Sequence, residues 1–286
     1  MKLSRPEFIL LRDYIHSICG IAITDNKTYL VQQRLEPLAL ALGCRNFSEY
    51  YQKITKNPLP IFQEQIINTI TTNETSFFRD THPFVTFKEH ILPRLAEVIH
   101  ERKTRQNPRK GPKVRLWSAG SSTGQEPYSL AMLIQEFTEA NSHFLISRGD
   151  FGILATDISS RVLAKAMAGE YKEAEIKRGL SPERVATYFK KEKKDWLINS
   201  SIRSMIEFRQ INLIRPFTIV GGMDVIFCRN VLIYFDNEIK TNILKQFYNM
   251  LSSDGILILG ATENVYAITD KFESVRYGDT LLYQKK

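Results

Sequence analysis

Residues 114–137 read VRLWSAGSSTGQEPYSLAMLIQEF. Val114 to Trp117 predicts a buried strand and Ser118 to Gly124 a turn of small residues. Pro127 opens a helix in which Leu130, Leu133, Ile134 and Phe137 recur at helical spacing. In such a unit Gly120 and Gly124 let backbone approach a ligand, while the free N–H groups of the turn and the first helical turn face one crevice. The spacing of the two glycines matches neither the dinucleotide fingerprint nor the phosphate-binding loop with its Lys and Ser/Thr, so no phosphate ligand is indicated.

Downstream of this unit, short apolar segments alternate with helical patterns, which predicts a parallel sheet covered by helices on both faces. Strands are expected at 114–117, 152–156, 205–210, 223–228, 255–260, 272–277 and 280–284, and helices near 127–138, 159–168 and 236–252. Tyr277, Gly278 and Asp279 are too short a link for a parallel crossover, so the last two strands form an antiparallel hairpin. A mostly parallel sheet with a terminal antiparallel hairpin is the layout of class I methyltransferases. A basic, polar stretch from Lys177 to Arg203 interrupts the alternation and reads as an inserted subdomain at about 177–205.

Upstream, residues 1–90 show only helical patterns. Phe8, Leu11, Ile15 and Ile18 form one stripe and Val31, Leu35, Leu38 and Leu42 another; a third helix is expected at about 47–56 and a fourth around Phe62, Ile66, Ile67 and Ile70. This all-α bundle offers no catalytic candidate, and its Arg12, Lys27, Arg34 and Arg45 fit a solvated face. The expected division is a helical domain at 1–90 and a sheet domain at 91–286. At the junction, TTNETSFFRD (71–80) reads most simply as a helix cap with two core phenylalanines, followed by a helix from Pro83 that is interrupted at Pro93. Residues 101–115 carry seven basic residues against one acidic and read as a linker.

Composition narrows the function classes. The 286 residues, 43% of them hydrophobic, suffice for a large and a small core, and apolar runs such as Gly255 to Ala261 are too short to span a bilayer. A cytoplasmic protein without membrane insertion is expected. Cys19, Cys44 and Cys228 are odd in number and far apart, which fits reduced thiols, and the five histidines form no metal-ligand cluster. A net charge of +8 points to an acidic partner without choosing between nucleic acid, membrane and protein.

In open sheets of this kind ligands lie beyond the carboxyl ends of the strands. The second strand ends in Asp157, placed either to hold a ribose diol or to cap the next helix. The third runs into Gln210, Ile211, Asn212 and Leu213, an amide and an apolar wall that suit an adenine edge, though also an ordinary strand end. The fourth ends in Cys228, Arg229 and Asn230 before Val231, Leu232, Ile233, Tyr234 and Phe235. An arginine there requires a ligand or a structural ion pair, because an unpaired buried charge is costly.

In this order, TNETSFFRD, SAGSSTGQEPYSLAM, ATDIS, QINL, DVIFCRNVLIYF and the late ILGATEN resemble the chemotaxis receptor methyltransferase family (CheR) over nearly the whole chain. The resemblance implies an S-adenosylmethionine-dependent, metal-free enzyme that methyl-esterifies glutamates on the cytoplasmic helices of chemoreceptors during sensory adaptation. It assigns cofactor contacts to Asn73, Thr75, Arg79, Gly120, Glu126, Asp157, Asn212, Leu213, Arg229 and Asn230. Arg79 and Tyr234 fall nearest the transferred methyl group, where both would orient the substrate carboxylate; for Tyr234 the plain alternative is a core aromatic with a satisfied hydroxyl. A glutamate, with a pKa of about 4.3, is already ionised at neutral pH, so no catalytic His or Cys is expected.

Two departures carry expectations. Some family members have a glycine-containing loop in the inserted subdomain that adds a receptor C-terminal peptide to its sheet edge. FKKEKKDWLINSSIR (189–203) has no glycine, so no tethering peptide is expected, and docking falls to the basic N-terminal domain of a monomer. Gln125 stands where many members have a second acid. Two other classes remain. A nucleic-acid methyltransferase would use the positive charge, but amine-directed enzymes favour an acidic or amide residue followed by Pro, Pro and an aromatic where this chain has Arg229 to Leu232. A non-catalytic S-adenosylmethionine-binding signalling module is the other, disfavoured by the intact motif set.

Overall fold

Val114, Leu116 and Trp117 are fully buried because helices cover the sheet on both sides, as a near-continuous apolar strand demands. The computed structural model describes residues 1–104, 113–142, 145–217, 222–266 and 268–286. The chain begins with helices α1 (Arg5–Cys19), α2 (Thr28–Ala41), α3 (Phe47–Lys56) and α4 (Pro60–Ile70), then α5 (His82–Thr86) and α6 (Leu92–Thr104). Between α5 and α6 a π-turn at Phe87–Ile91 widens the helix just before Pro93, which relieves the clash of the proline ring with the preceding turn. Most of the basic linker expected at 101–115 lies outside the described residues.

The sheet domain then runs β1 (Val114–Ala119), α7 (Gln125–Ala140), β2 (Phe151–Asp157), α8 (Ser160–Ala168), β3 (Glu170–Lys172), α9 (Glu173–Lys177), α10 (Pro182–Tyr188), β4 (Phe189–Glu192), β5 (Asp195–Ile198), α11 (Ser200–Arg203), β6 (Ile206–Gln210), β7 (Met223–Cys228), α12 (Asn237–Met250), β8 (Leu251–Leu259), β9 (Phe272–Tyr277) and β10 (Thr280–Lys285). The main sheet has the order β6-β2-β1-β7-β8-β10-β9. It is parallel from β6 to β8, and β10 then runs antiparallel to both β8 and β9. The direction of the chain order reverses at β1, so the crevice beyond the ends of β1, β2 and β7 is the topological switch point where ligands bind in such sheets.

Neighbouring β1 residues face opposite layers. Leu116 joins Phe87, Ile91 and Leu130 on one face, while Trp117 joins Phe247 on the other, edge to face at 5.2 Å, and donates its buried Nε1–H to Thr156 Oγ1 at 2.9 Å. The four N-terminal helices have a separate core from Leu3 to Ile70. Phe77, Phe78, Phe84 and Phe87, by contrast, pack in the sheet's core. The packing boundary therefore falls near Thr71 and not near residue 90, because the helical pattern of 82–104 continues past the bundle's own core.

The inserted subdomain is a three-stranded sheet of order β3-β5-β4, flanked by α9 and α10, and it begins at Glu170, earlier than the expected 177. Tyr171, the one buried residue of β3, pins it beside Phe77 at 5.0 Å. Its glycine-free turn is the two-residue link Lys193-Lys194 between β4 and β5, with Lys193 at φ 55°.

Candidate functional site

The turn after β1 is shaped by its bonds to β2. The N–H groups of Gly120 and Ser121 both donate to the Thr156 carbonyl at 2.8 Å, and that of Ser122 donates to Asp157 Oδ2 at 2.9 Å. Ser122 Oγ reaches on to the Asn73 carbonyl at 3.0 Å, which sets the 71–80 segment against the turn. Both glycines are also required by their neighbours, and only Gly120 lies on the cleft. Gly120 has φ 77° and a Cβ there would be driven into Val231 Cγ2; Gly124, at φ 95°, would meet Ala166 Cβ at 2.9 Å. Gly120 thus admits a wall of the cleft, and Gly124 admits the packing of α8 against α7 and does not line the cleft.

Asp157 does not cap α8. Ser159 does, its hydroxyl accepting from Val162 N, while Asp157 Oδ1 accepts from Ser159 N at 2.9 Å. Burial pushes the Asp157 carboxyl above its ordinary range, opposed by main-chain hydrogen bonds from Ser159, Ser122 and Ile158. Among the described residues it has no cationic partner. A buried carboxylate with spare lone pairs at the end of β2 is suited to accept from a diol.

Arg229 lies at the centre of the opposite wall, its side chain 2% exposed. It donates to Glu126 Oε2 at 3.1 Å, Asp80 Oδ2 at 2.8 Å and the Arg79 carbonyl at 2.9 Å. Its guanidinium therefore clamps the 71–80 segment to the start of α7 with three of its five N–H groups, and leaves Nε, which has no partner among the described residues, and one Nη1–H for a ligand. Glu126 takes a second bond from Ser118 Oγ at 2.8 Å. The neighbouring Gln125 is buried and accepts from Thr123 Oγ1, away from the cleft. Arg79 itself is half-buried, donating from Nη1 to the Glu74 carbonyl at 2.9 Å.

One cleft is lined by all the residues expected at the site: Asn73, Thr75, Arg79, Gly120, Glu126, Asp157, Asn212, Leu213, Arg229, Asn230 and Tyr234. Asn212 differs from expectation in its side chain. Nδ2 donates to the Ile18 carbonyl at 2.8 Å and Oδ1 accepts from Ile214 N at 3.3 Å, so the amide joins the two domains and leaves backbone and Leu213 to face a ligand. Tyr234 is half-buried, and its hydroxyl makes no hydrogen bond among the described residues, unlike a satisfied core tyrosine.

The bundle contributes more than its sequence indicated. Cys19, Ile21 to Ile23, Lys27, Leu30 and Arg34 form the far side of the cleft. Ala22 N donates to the Tyr234 carbonyl at 2.9 Å, and His16 Nε2 meets Asp236 Oδ2 at 2.7 Å. The basic residues expected on a free face are partly engaged within the chain: Arg12 with Asp13 and Asp25, Arg45 with Glu49, and Arg34 with the Ile70 carbonyl at the end of α4. The missed signal was the short IAIT linker between two helices, apolar where a solvated turn would be polar.

The donor set fits a sulfonium amino-acid nucleoside and not a phosphate. Carboxylates at Asp157 and Glu126 attract an ammonium and a diol and repel phosphate. Buried Ser121 Oγ and Asn230 Oδ1 lack partners among the described residues, which leaves polar groups for a polar ligand. Among the described residues no group of three or more His, Cys, Asp or Glu is placed to hold a metal, and no helix is long and apolar enough to cross a membrane. Cys19 and Cys228 are poor nucleophiles, since burial pushes the Cys19 thiol up to about 11 and that of Cys228 well above its ordinary range.

A family model described as "CheR methyltransferase, SAM binding domain" matches residues 73–280, and one described as "CheR methyltransferase, all-alpha domain" matches residues 6–71. The chain is 38% identical to chemotaxis protein methyltransferase 1 of Pseudomonas aeruginosa and 39% identical to chemotaxis protein methyltransferase Cher2 of Pseudomonas putida, with 100% of both chains covered in each case. It is 36% identical to a chemotaxis protein methyltransferase of Vibrio parahaemolyticus, over 100% of this chain and 99% of that one.

Proposed function

The chain belongs to the CheR methyltransferase family, and on that premise we propose that it transfers the methyl group of S-adenosylmethionine to glutamate side-chain carboxylates of chemoreceptors, forming methyl esters for sensory adaptation. It is an S-adenosylmethionine-dependent methyltransferase. The cofactor supplies an electrophilic methyl group on a sulfonium. Asp157 accepts from the ribose, and Glu126, steadied by Arg229 and Ser118, faces the amino-acid end. Asn73, Thr75 and Asn230 add polar contacts, and Gly120, Asn212 and Leu213 form the wall by backbone and apolar contact. Arg79 and Tyr234 orient the incoming carboxylate.

The observation that carries the choice of nucleophile is the chemistry of the lining. Among the described residues around the cleft there is no histidine, and the one thiol is pushed up to about 11. The lining carboxylates have other work: Asp157 is held by main-chain N–H groups with lone pairs left for the ribose, Glu126 pairs with Arg229 and Glu74 with Arg178. A nucleophile that arrives ionised, as a glutamate does, needs no base, whereas a protonated amine does. What the site supplies is positioning, worth roughly 7–11 kcal/mol in favourable cases. The apolar α1–α2 linker beside Tyr234 narrows the approach, and Lys27 at the same rim provides positive charge for an acidic receptor helix.

Incubation with methyl-labelled cofactor and receptor cytoplasmic fragments tests the reading. Label released as methanol by alkali is expected. Alkali-stable label points to N-methylation and overturns it, and so does cofactor binding without any labelling.

A further inference from the structure

Glu263 belongs to the late ATEN segment, and the proposed chemistry gives it no part. It is 8% exposed and, among the described residues, no cation pairs with it. Its carboxylate is held by four main-chain N–H groups. Oε2 accepts from Asn230 at 2.7 Å and Gly260 at 2.7 Å, and Oε1 accepts from Val231 at 2.9 Å and Ile233 at 3.1 Å. Three of these donors belong to the stretch that runs from the end of β7 to Tyr234. The rest of what holds that stretch is the buried Leu232 and the bonds of Tyr234, its N–H to the Val231 carbonyl and its carbonyl to Ala22 N, none of which touches Asn230. Asn230 has φ 58°, a left-handed conformation that asparagine tolerates better than most non-glycine residues and that aims its N–H at Glu263 Oε2.

From this geometry we infer that Glu263 is a positioning residue which sets the Asn230–Tyr234 wall before the cofactor arrives. The inference rests on reading the cleft as the cofactor site. A carboxylate at this point does two things. It gathers three successive-turn N–H groups toward the interior, which forces Asn230 into its left-handed conformation and leaves Asn230 Oδ1, unpartnered among the described residues, on the cleft. It also fixes the start of the turn Leu232–Tyr234, and with it the position of the Tyr234 ring. Gly260 is required by the same contact: a Cβ there would lie 2.6 Å from Glu263 Oε2 and 2.9 Å from Asn230 N. A glutamine has the same shape but only one accepting oxygen, and its amide N–H groups oppose two main-chain donors. It therefore cannot hold the wall.

Two measurements decide this. Amide hydrogen exchange on the unmodified protein should find Asn230, Val231, Ile233 and Gly260 protected without cofactor, with little further protection on adding S-adenosylhomocysteine; exchange that slows only when it is added overturns the inference. Titration calorimetry should find Glu263→Gln binding S-adenosylhomocysteine at least about 10-fold more weakly than the unmodified protein, the effect of losing about one charge-assisted hydrogen bond. The same substitution in an Asn230→Ala background should cost less, because both act through one wall. Equal affinity of Glu263→Gln and the unmodified protein, or full additivity with Asn230→Ala, overturns it. If the unmodified protein itself fails to bind, the reading of the cleft fails, and the exchange pattern still decides the role of Glu263; exchange likewise decides should the variant not fold.

Discussion

Arg229 Nη1 donates to Glu126 Oε2 at 3.1 Å, although the two residues are 103 positions apart and each was expected to meet the cofactor separately. The pair is one unit, and a second carboxylate, Asp80, joins the same guanidinium at 2.8 Å. Glu126→Gln removes one of the two anions facing a guanidinium that is 2% exposed, so a loss of about 2–4 kcal/mol in urea unfolding is expected together with at least about 10-fold weaker S-adenosylhomocysteine binding. Asp80→Asn should cost less stability, its side chain being 36% exposed against 13% for Glu126, and change affinity less, since Asp80 does not line the cleft. Unchanged affinity in Glu126→Gln would take that residue out of the cofactor site.

Tyr234→Phe should leave stability within about 0.5 kcal/mol, because its hydroxyl has no protein partner among the described residues. Turnover at saturating receptor should fall roughly 10- to 100-fold if the hydroxyl holds the substrate carboxylate. Steady-state kinetics check this, and unchanged turnover removes the residue from the mechanism.

Cofactor affinity should weaken on mild acidification. Burial raises the Asp157 pKa, so the folded protein takes up a proton there at a pH above the ordinary value of 3.8, and the ionised carboxylate costs stability above the folded pKa, a cost relieved as pH falls through it. Protonation removes an acceptor for the ribose. S-adenosylhomocysteine binding by calorimetry should therefore weaken as pH falls through the raised pKa, while Asp157→Asn, weak throughout, should be flat in that window. A parallel pH dependence in the variant would assign the titration to another group.

Gly120→Ala should impair both folding and binding, from the collision with Val231 and from the positive φ. The double variant Gly120→Ala, Val231→Ala separates the two causes. It should recover the steric part and retain a deficit of about 1–2 kcal/mol in urea unfolding, the cost of a left-handed alanine. Full recovery would show that conformation at Gly120 is free.

Much of the fold was legible because periodicity is local. Each of the seven main strands overlaps an expected range, and β7 and β9 match theirs residue for residue. The β3 strand was not legible, since Glu170-Tyr171-Lys172 contains a single inward residue and three residues carry no period. Helix α7 starts at Gln125, ahead of Pro127, because the left-handed Gly124 ends the turn. Site residues followed from motif order. Their partners did not, as the contacts of Arg229 with Asp80 and of Asn212 with Ile18 join residues 149 and 194 positions apart.

No dependence on a receptor C-terminal peptide is expected of the inserted sheet. Its β4–β5 turn is the pair Lys193-Lys194, and only Phe189 is buried along the edge strand β4. Calorimetric titration of the whole chain with such a peptide should show no heat of binding, and saturable binding would refute this.

The α1–α2 linker is bonded to the Tyr234 carbonyl through Ala22 N, and Ile18 is bonded to Asn212. The rim of the reaction chamber is therefore inherited from both halves of the gene. A chimera that joins the first seventy or so residues of one relative to the remainder of another would fold each half around its own core and still present a misaligned chamber. Along a lineage, the two halves must drift in step.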